Sequence, residues 1–309
     1  MKITVVGSGN VGATTAFLCA QKGLGHVVLV DILDGIPQGK GLDILQSCPL
    51  AGTSVQVQGT NDYKDTQDSD IVVITAGLAR KPGMSREDLL RENAKIIQGI
   101  TSQVIKYSKN PILIVVTNPL DIMTYHAWKV SGLPSDRVMG QAGVLDSTRF
   151  KSFIAEKLKV SPLDVTSMVL GGHGDTMVPL VRFTQVSGIP LTDLLSTSEI
   201  EALVERARNG GGEIVNLLKS GSAYYAPASA VVQMVQSIVW DEKRVLPCST
   251  YLKGQYGLND LFIGVPIKLG KKGVETVYEL SLHPEELTAL RNSAKVYKDG
   301  IQLLYPQSS

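Results

Sequence analysis

The sequence predicts an α/β protein, with a doubly wound parallel sheet over residues 1–143 and an α+β domain over residues 144–309. Three observations carry that prediction. Short β-branched runs alternate with helical stretches through the first half, a glycine-rich turn separates the first run from the first helix, and the alternation stops near residue 143. A chain of 309 residues is long enough to bury the cores of two domains.

Ile3 to Gly7 reads as a buried strand and Val11 to Lys22 as a helix. His26 to Asp31 is a second strand, and Ile36 to Ser47 is a helix with apolar and small residues toward one face. Ser54 to Gly59, Ile71 to Ala76 and Ile112 to Thr117 are further strands, the last two joined by a helix between Arg86 and Lys109. Strands that are apolar along their whole length and separated by helices imply a parallel sheet covered on both faces. Beyond residue 143 come a helix from Ser147 to Lys159 and strand-like runs at Val165 to Leu170, Phe262 to Leu269 and Val274 to Glu279. Long helices run through Ala228 to Asp241 and Pro284 to Leu304. Their order no longer alternates, which fits a separate α+β unit.

Composition removes several classes of function. Thirty basic residues against 29 acidic ones leave a net charge of +1, so no broad basic field exists for nucleic acid or anionic lipid. No apolar run approaches the ~20 residues of a bilayer span. The first strand begins almost at once, so no leader segment is expected. Cys19, Cys48 and Cys248 lie far apart without a CxxC pair, as reduced thiols of a soluble cytoplasmic protein would. No His, Cys, Asp or Glu cluster has metal-ligand spacing, so no metal is expected.

Gly7-Ser8-Gly9-Asn10-Val11-Gly12 has the form G-x-G-x-x-G. Alone the pattern is weak, because glycine turns are common. Here it leaves a strand and opens a helix, which is the context that gives it meaning. The first glycine permits a tight turn, the second lets backbone approach a pyrophosphate, and the third lets helix pack on strand. The helix N-terminus adds N–H groups and positive dipole. Asp31 closes the next strand about 20 positions later, the spacing of an acid that binds adenosine ribose hydroxyls. A carboxylate there repels a 2′-phosphate, and Ile32 follows where an arginine would accommodate one. The segment therefore reads as a Rossmann-type site for NAD rather than NADP.

Four further motifs carry a resemblance. They are Leu78-Ala79-Arg80-Lys81-Pro82-Gly83-Met84-Ser85-Arg86, Thr117-Asn118-Pro119-Leu120-Asp121, Leu145-Asp146-Ser147-Thr148-Arg149-Phe150 and Gly171-Gly172-His173-Gly174-Asp175. In order and spacing they resemble the lactate/malate dehydrogenase family, and the first looks like its mobile active-site loop. The resemblance extends from residue 1 to the C-terminal helix. Among members of the family, the chain resembles the malate-type enzymes that are lactate-dehydrogenase-like in sequence.

The residues suit the chemistry that the resemblance implies. Hydride transfer between a 2-hydroxy acid and a nicotinamide requires movement of the hydroxyl proton, and a histidine titrating near operating pH can carry it both ways. Of His26, His126, His173 and His283, only His173 sits in a glycine-flanked turn after an apolar strand. Packing or surface roles suit the other three. The resemblance implies that Asp146 orients the His173 ring. From the residues alone, Asp146 is as well read as a helix N-cap before Ser147. Arg149, three positions on, would clamp the substrate's C1 carboxylate with its planar fork, or else lie exposed. Arg86 would polarise the reacting carbonyl. Asn118 would bind cofactor ribose and substrate, with Val116 and Thr117 lining the cofactor. Asn93 would face the cofactor, unless it is a solvated polar residue of its helix.

Arg80 speaks to substrate class. Lactate-type members commonly carry glutamine at the matching position, whereas a second arginine suits the second carboxylate of oxaloacetate. Ala223 agrees, since lactate-type members usually have threonine there. The alternatives are a lactate or broader 2-hydroxyacid dehydrogenase, or a catalytically silent NAD-binding sensor on the same fold. Gly210, Gly211 and Gly212, after Arg206 to Asn209, resemble the family's glycine-broken helix at a subunit interface, against which Gly39 to Ser47 could pack. The resemblance thus implies a homo-oligomer, dimer or tetramer.

Overall fold

A computed structural model describes residues 1–79 and 83–306. Arg80, on which the substrate expectation turns, lies outside the described residues. Six parallel strands form the first half of the sheet: β1 (Lys2–Val6), β2 (His26–Val30), β3 (Val57–Thr60), β4 (Ile71–Ile74), β5 (Ile112–Val115) and β6 (Val138–Gly140). Their spatial order is β3-β2-β1-β4-β5-β6. The order reverses between β1 and β4, and the crevice beyond the strand ends at that point is where open α/β sheets bind ligands. The covering helices are α1 (Asn10–Gln21), α2 (Ile36–Ser47), α3 (Arg86–Tyr107) and α4 (Leu120–Ser131). Ile71 to Ile74 and Ile112 to Val115 are fully buried or nearly so, as the all-apolar strands require.

The second half opens with α5 (Gly143–Leu158). Five two-residue strands follow: β7 (Val165–Thr166), β8 (Val169–Leu170), β9 (Val178–Pro179), β10 (Gln185–Val186) and β11 (Ile189–Pro190). Next come α6 (Leu191–Leu194), α7 (Thr197–Leu218) and α8 (Tyr225–Val239). The hairpin β12 (Arg244–Lys253), β13 (Asn259–Gly270) and β14 (Gly273–Val277) precedes α9 (Pro284–Leu304).

Several expectations change. The strand-like run Val165 to Leu170 is two strands in two different small sheets. The helix expected at Ser147 starts four residues earlier, at Gly143, so Asp146 lies in its first turn and is not its N-cap. α7 runs unbroken through Gly210, Gly211 and Gly212. β12 is a strand not named from the sequence; it contains Pro247, which lies opposite Pro266 in β13, where neither supplies an N–H.

The antiparallel hairpin also adds itself to the edge of the parallel sheet, where Ser249 of β12 pairs with Gly140 of β6. One nine-stranded sheet therefore runs through both halves. The main core follows it, from Ile3 and Val115 to Val144, Phe262, Leu290 and Tyr297. A smaller core beneath α5 and α7 gathers Phe150, Ile154, Val169 and Leu203.

Candidate active site

The turn after β1 is built on two glycines that nothing larger replaces. Gly7 has φ +102, and a Cβ there would meet Ala76 N and Thr75 Oγ1 at 2.7 Å. A Cβ on Gly12 would collide with the Gly7 carbonyl, so α1 can approach β1 only with glycine there. Gly9 differs. It caps α1 without a side-chain hydrogen bond, and the space its Cβ would enter is open. The N-terminal N–H groups thus face a gap suited to a pyrophosphate.

Asp31 is oriented before any ligand arrives. Its Oδ2 accepts hydrogen bonds from Ser8 N–H at 2.5 Å and Ser8 Oγ at 2.8 Å, and its Oδ1 accepts from Leu33 N–H at 3.1 Å. Partial burial pushes the carboxyl up, but these donors outweigh it and the net shift is downward, keeping the group charged. Lys40 escaped the sequence reading. Its Nζ donates to the Ser8 carbonyl at 2.6 Å, bracing the glycine turn from α2. No motif marks it, because the contact joins two elements.

Asn93 is fully buried, not a solvated helix residue. Its Oδ1 accepts from Leu78 N–H at 2.7 Å and its Nδ2 donates to the Asn118 carbonyl at 2.7 Å. It ties the base of the 78–86 segment to the end of β5. Val116 and Asn118 lie at that end, half-buried and exposed respectively, and Thr117 Oγ1 donates to the Ala76 carbonyl at 2.6 Å. These residues line the same strand ends as Gly7 and Asp31.

A second cluster holds a largely buried acid–base pair. His173 Nδ1 lies 2.9 Å from Asp146 Oδ2, and the two side chains are 15% and 3% exposed. Among the described residues no protein group bonds His173 Nε2, so this is the nitrogen available to a ligand. Burial alone would push the imidazole pKa down. The charge and hydrogen bond of Asp146 more than reverse this, with help from Asp121 and opposition from Arg149, so the net shift is upward.

Asp121, the last residue of the Thr117–Asp121 motif, packs against the His173 turn. It is fully buried, accepts the His173 N–H at 3.0 Å and the Ser249 hydroxyl at 2.6 Å, and burial raises its pKa to about 6. Only the meeting of α4, β12 and the His173 turn reveals it.

Arg149 is half-buried rather than exposed, with one guanidinium nitrogen 3.8 Å from Asp146 and its buried Nε without a hydrogen-bond partner. Burial lowers its pKa, against the pull of Asp146. Gly210 and Gly211 of α7 explain the room it has. A Cβ at Gly210 would sit 3.3 Å from Arg149 Cδ, and one at Gly211 3.7 Å from its guanidinium. Within this chain, the glycines of α7 seat an arginine. A half-buried guanidinium with unspent donors is a strong anion site. Arg86 contrasts with it. At the first position of α3, after the Ser85–Asp88 capping box, it is 83% exposed and 3.7 Å from the equally exposed Asp175.

The other histidines have local partners. His26 accepts from Gln56 N–H, His126 bonds Tyr305 and Ala94, and His283 caps α9. Cys19, Cys48 and Cys248 are free and buried. Among the described residues no group of three His, Cys, Asp or Glu could hold a metal ion, and no helix is long and apolar enough to cross a membrane.

A dinucleotide-type turn in a Rossmann sheet, together with a histidine–aspartate pair beside an arginine, fits the class that the relatives show, an NAD-dependent oxidoreductase. The family model for the lactate/malate dehydrogenase NAD-binding domain matches residues 1–140, and that for the family's α/β C-terminal domain matches residues 143–305. The chain belongs to the lactate/malate dehydrogenase family. It is 60% identical over 305 residues to a malate dehydrogenase of Chlorobium luteolum, covering 98% of each chain. A solved malate dehydrogenase of Salinibacter ruber is 51% identical with TM-score 0.95, covering 99% of this chain and 98% of that one. A lactate dehydrogenase of Cryptosporidium parvum, solved with lactic acid and the nicotinamide cofactor, is 42% identical with the same TM-score, 0.95, over 99% and 98%.

Proposed function

We propose that the chain is a malate dehydrogenase, interconverting (S)-malate and oxaloacetate with NAD. The buried His173–Asp146 pair beside Arg149 carries the chemical part of this reading. The bound nicotinamide supplies the hydride acceptor or donor. In malate oxidation, neutral His173 takes the hydroxyl proton at Nε2 while Asp146, at Nδ1, stabilises the imidazolium that forms. In oxaloacetate reduction the protonated ring returns it. Arg149 holds the C1 carboxylate in a water-poor setting where its charge counts most. Arg86 polarises the reacting carbonyl, and Asn118 binds substrate and cofactor ribose. The turn Gly7, Ser8, Gly9, Asn10, Val11 and Gly12 receives the pyrophosphate, Asp31 the ribose hydroxyls, and Asn93, Val116 and Thr117 complete the cofactor wall.

Fold cannot choose between malate and lactate, since relatives of both names share it. The choice rests on the malate dehydrogenases 56% to 60% identical to this chain and on Arg80 as the partner of the distal carboxylate. Leu42 in α2, Leu50 in the turn after it and Leu217 in α7 are exposed leucines that a homo-oligomer would cover. A cytoplasmic enzyme of the tricarboxylic acid cycle fits this reading.

Assay with NADH against oxaloacetate and pyruvate tests the substrate. Arg80→Gln should reduce kcat/KM for oxaloacetate by about 30-fold to several thousand-fold, the effect of removing one partner of a desolvated charge pair. Pyruvate efficiency should hold or rise. An equal loss for both keto acids would make Arg80 a support of the loop and not the reader of substrate.

A further inference from the structure

We infer that Tyr297, on the C-terminal helix α9, is a positioning residue for His173, holding the turn that presents the imidazole to the crevice. The inference rests on the reading of His173 as the proton carrier.

The turn from Gly171 to Thr176 has little regular structure to stiffen it. Gly171 and Gly174 have φ of +86 and +121, and around Gly174 the space is open. What holds it comes from other elements. The Tyr297 hydroxyl donates to the carbonyl of His173 itself, at 3.0 Å. One turn earlier on α9, Ser293 Oγ accepts the Gly172 N–H at 2.9 Å and donates to Thr176 Oγ1 at 2.9 Å. The Tyr297 ring fills the space a Gly172 side chain would need, since any Cβ there would collide with it. From the opposite side Asp121 accepts the His173 N–H. The His173 peptide is thus bonded at its N–H from α4 and at its carbonyl from α9.

Both α9 residues are buried, at 8% and 2% exposure, and α9 is itself anchored in the core by Leu290, Ala294 and Ile301. A buried hydroxyl leaves its partner unsatisfied if removed, and here that partner is the backbone of the proton carrier. Release of the carbonyl lets the turn rotate, and the cost falls on the His173–Asp146 contact. The charged and titratable groups around the imidazole are Asp146 and Arg149 on α5, Asp121 on α4, Tyr297 on α9, and Asp175 with Arg86 at the mouth.

Tyr297→Phe keeps the ring against Gly172 and removes only the hydroxyl. The expected result is a loss of about 3- to 10-fold in kcat for oxaloacetate reduction, the scale of one net hydrogen bond. NADH affinity, read by fluorescence titration, stays unchanged. The pH at which reduction declines moves lower, because a looser Asp146 contact supports the imidazolium less. In a His173→Asn background the same substitution costs nothing further, since residues acting through one group are non-additive. Wild-type kcat and pH profile in Tyr297→Phe overturn the inference even if the Tm falls, and so does a full additional loss in the His173→Asn background. Should Tyr297→Phe fail to fold, Ser293→Ala releases Gly172 and Thr176 instead, and the same readings decide. If His173→Asn alone keeps its turnover, the reading of His173 as proton carrier fails, and the inference with it.

Discussion

The cofactor end and the substrate end of the crevice are built in opposite ways. Gly7, Ser8, Gly9, Gly12 and Asp31 come from one β–α–β unit, and the bonds between Ser8 and Asp31 close within it. The substrate end draws Arg86 from α3, Asp121 from α4, Asp146 and Arg149 from α5, His173 from a turn and Tyr297 from α9. It is also uneven. Asp146 is buried and Arg149 half-buried, both set, while Arg86 stands in solvent with a long, exposed ion pair of the kind worth about 0–1 kcal/mol. On the proposed reading a nucleotide would meet a surface already arranged, whereas a substrate would find Asp146 and Arg149 set and Arg86 still in solvent.

The two ends should therefore fail independently. His173→Asn should lower turnover by about 10²–10⁴, the worth of a positioned acid–base group, with NADH binding nearly intact. Loss of NADH binding in that variant would break the separation. Arg149→Lys keeps the charge but not the bidentate fork, and should lower kcat/KM for oxaloacetate by about 30-fold to several thousand-fold. Recovery of wild-type efficiency with lysine would show that a point charge suffices.

The pH profile probes the buried pair directly. His173 titrates above its ordinary value of about 6.5 because Asp146 favours the imidazolium over the opposing effect of burial. Reduction needs the protonated ring, so its rate should fall about tenfold per unit once pH passes that raised pKa. Malate oxidation needs the neutral ring and should rise over the same interval. Parallel trends in the two directions would remove His173 from the proton path. The smallest effect belongs to the cofactor end. Asp31→Ser should narrow the preference for NADH over NADPH by about tenfold, the equivalent of roughly 1.4 kcal/mol. Equal efficiency with both cofactors in the unaltered protein would remove Asp31's role.

Legibility followed the same division. Five of the six parallel strands, the glycine turn and Asp31 were readable because their cause is local, in periodicity, φ requirements and a fixed spacing along one β–α–β unit, whereas β6 is only three residues long and carries no such period. Resemblance supplied the roles expected of His173, Asp146 and Arg149, but not the burial of Asp146 or the partial burial of Arg149. Asn93 reads equally as a solvated helix residue until its burial against Leu78 and Asn118 is seen.

By itself, then, the sequence determined the class of sheet and the glycine turn of its NAD-binding half, and singled out His173 as the candidate proton carrier. Tertiary structure alone decided that Asp146 is a partner of His173 and not a helix cap, and that α7 is continuous. It also decided that its glycines seat Arg149, and that Asp121, itself bonded by Ser249, and Tyr297 hold the two sides of the His173 peptide. The physical reason is range. A hydrogen bond such as Tyr297 to His173 joins residues 124 positions apart, and no periodicity or spacing records which distant donor a buried carbonyl will meet once the chain has closed around it.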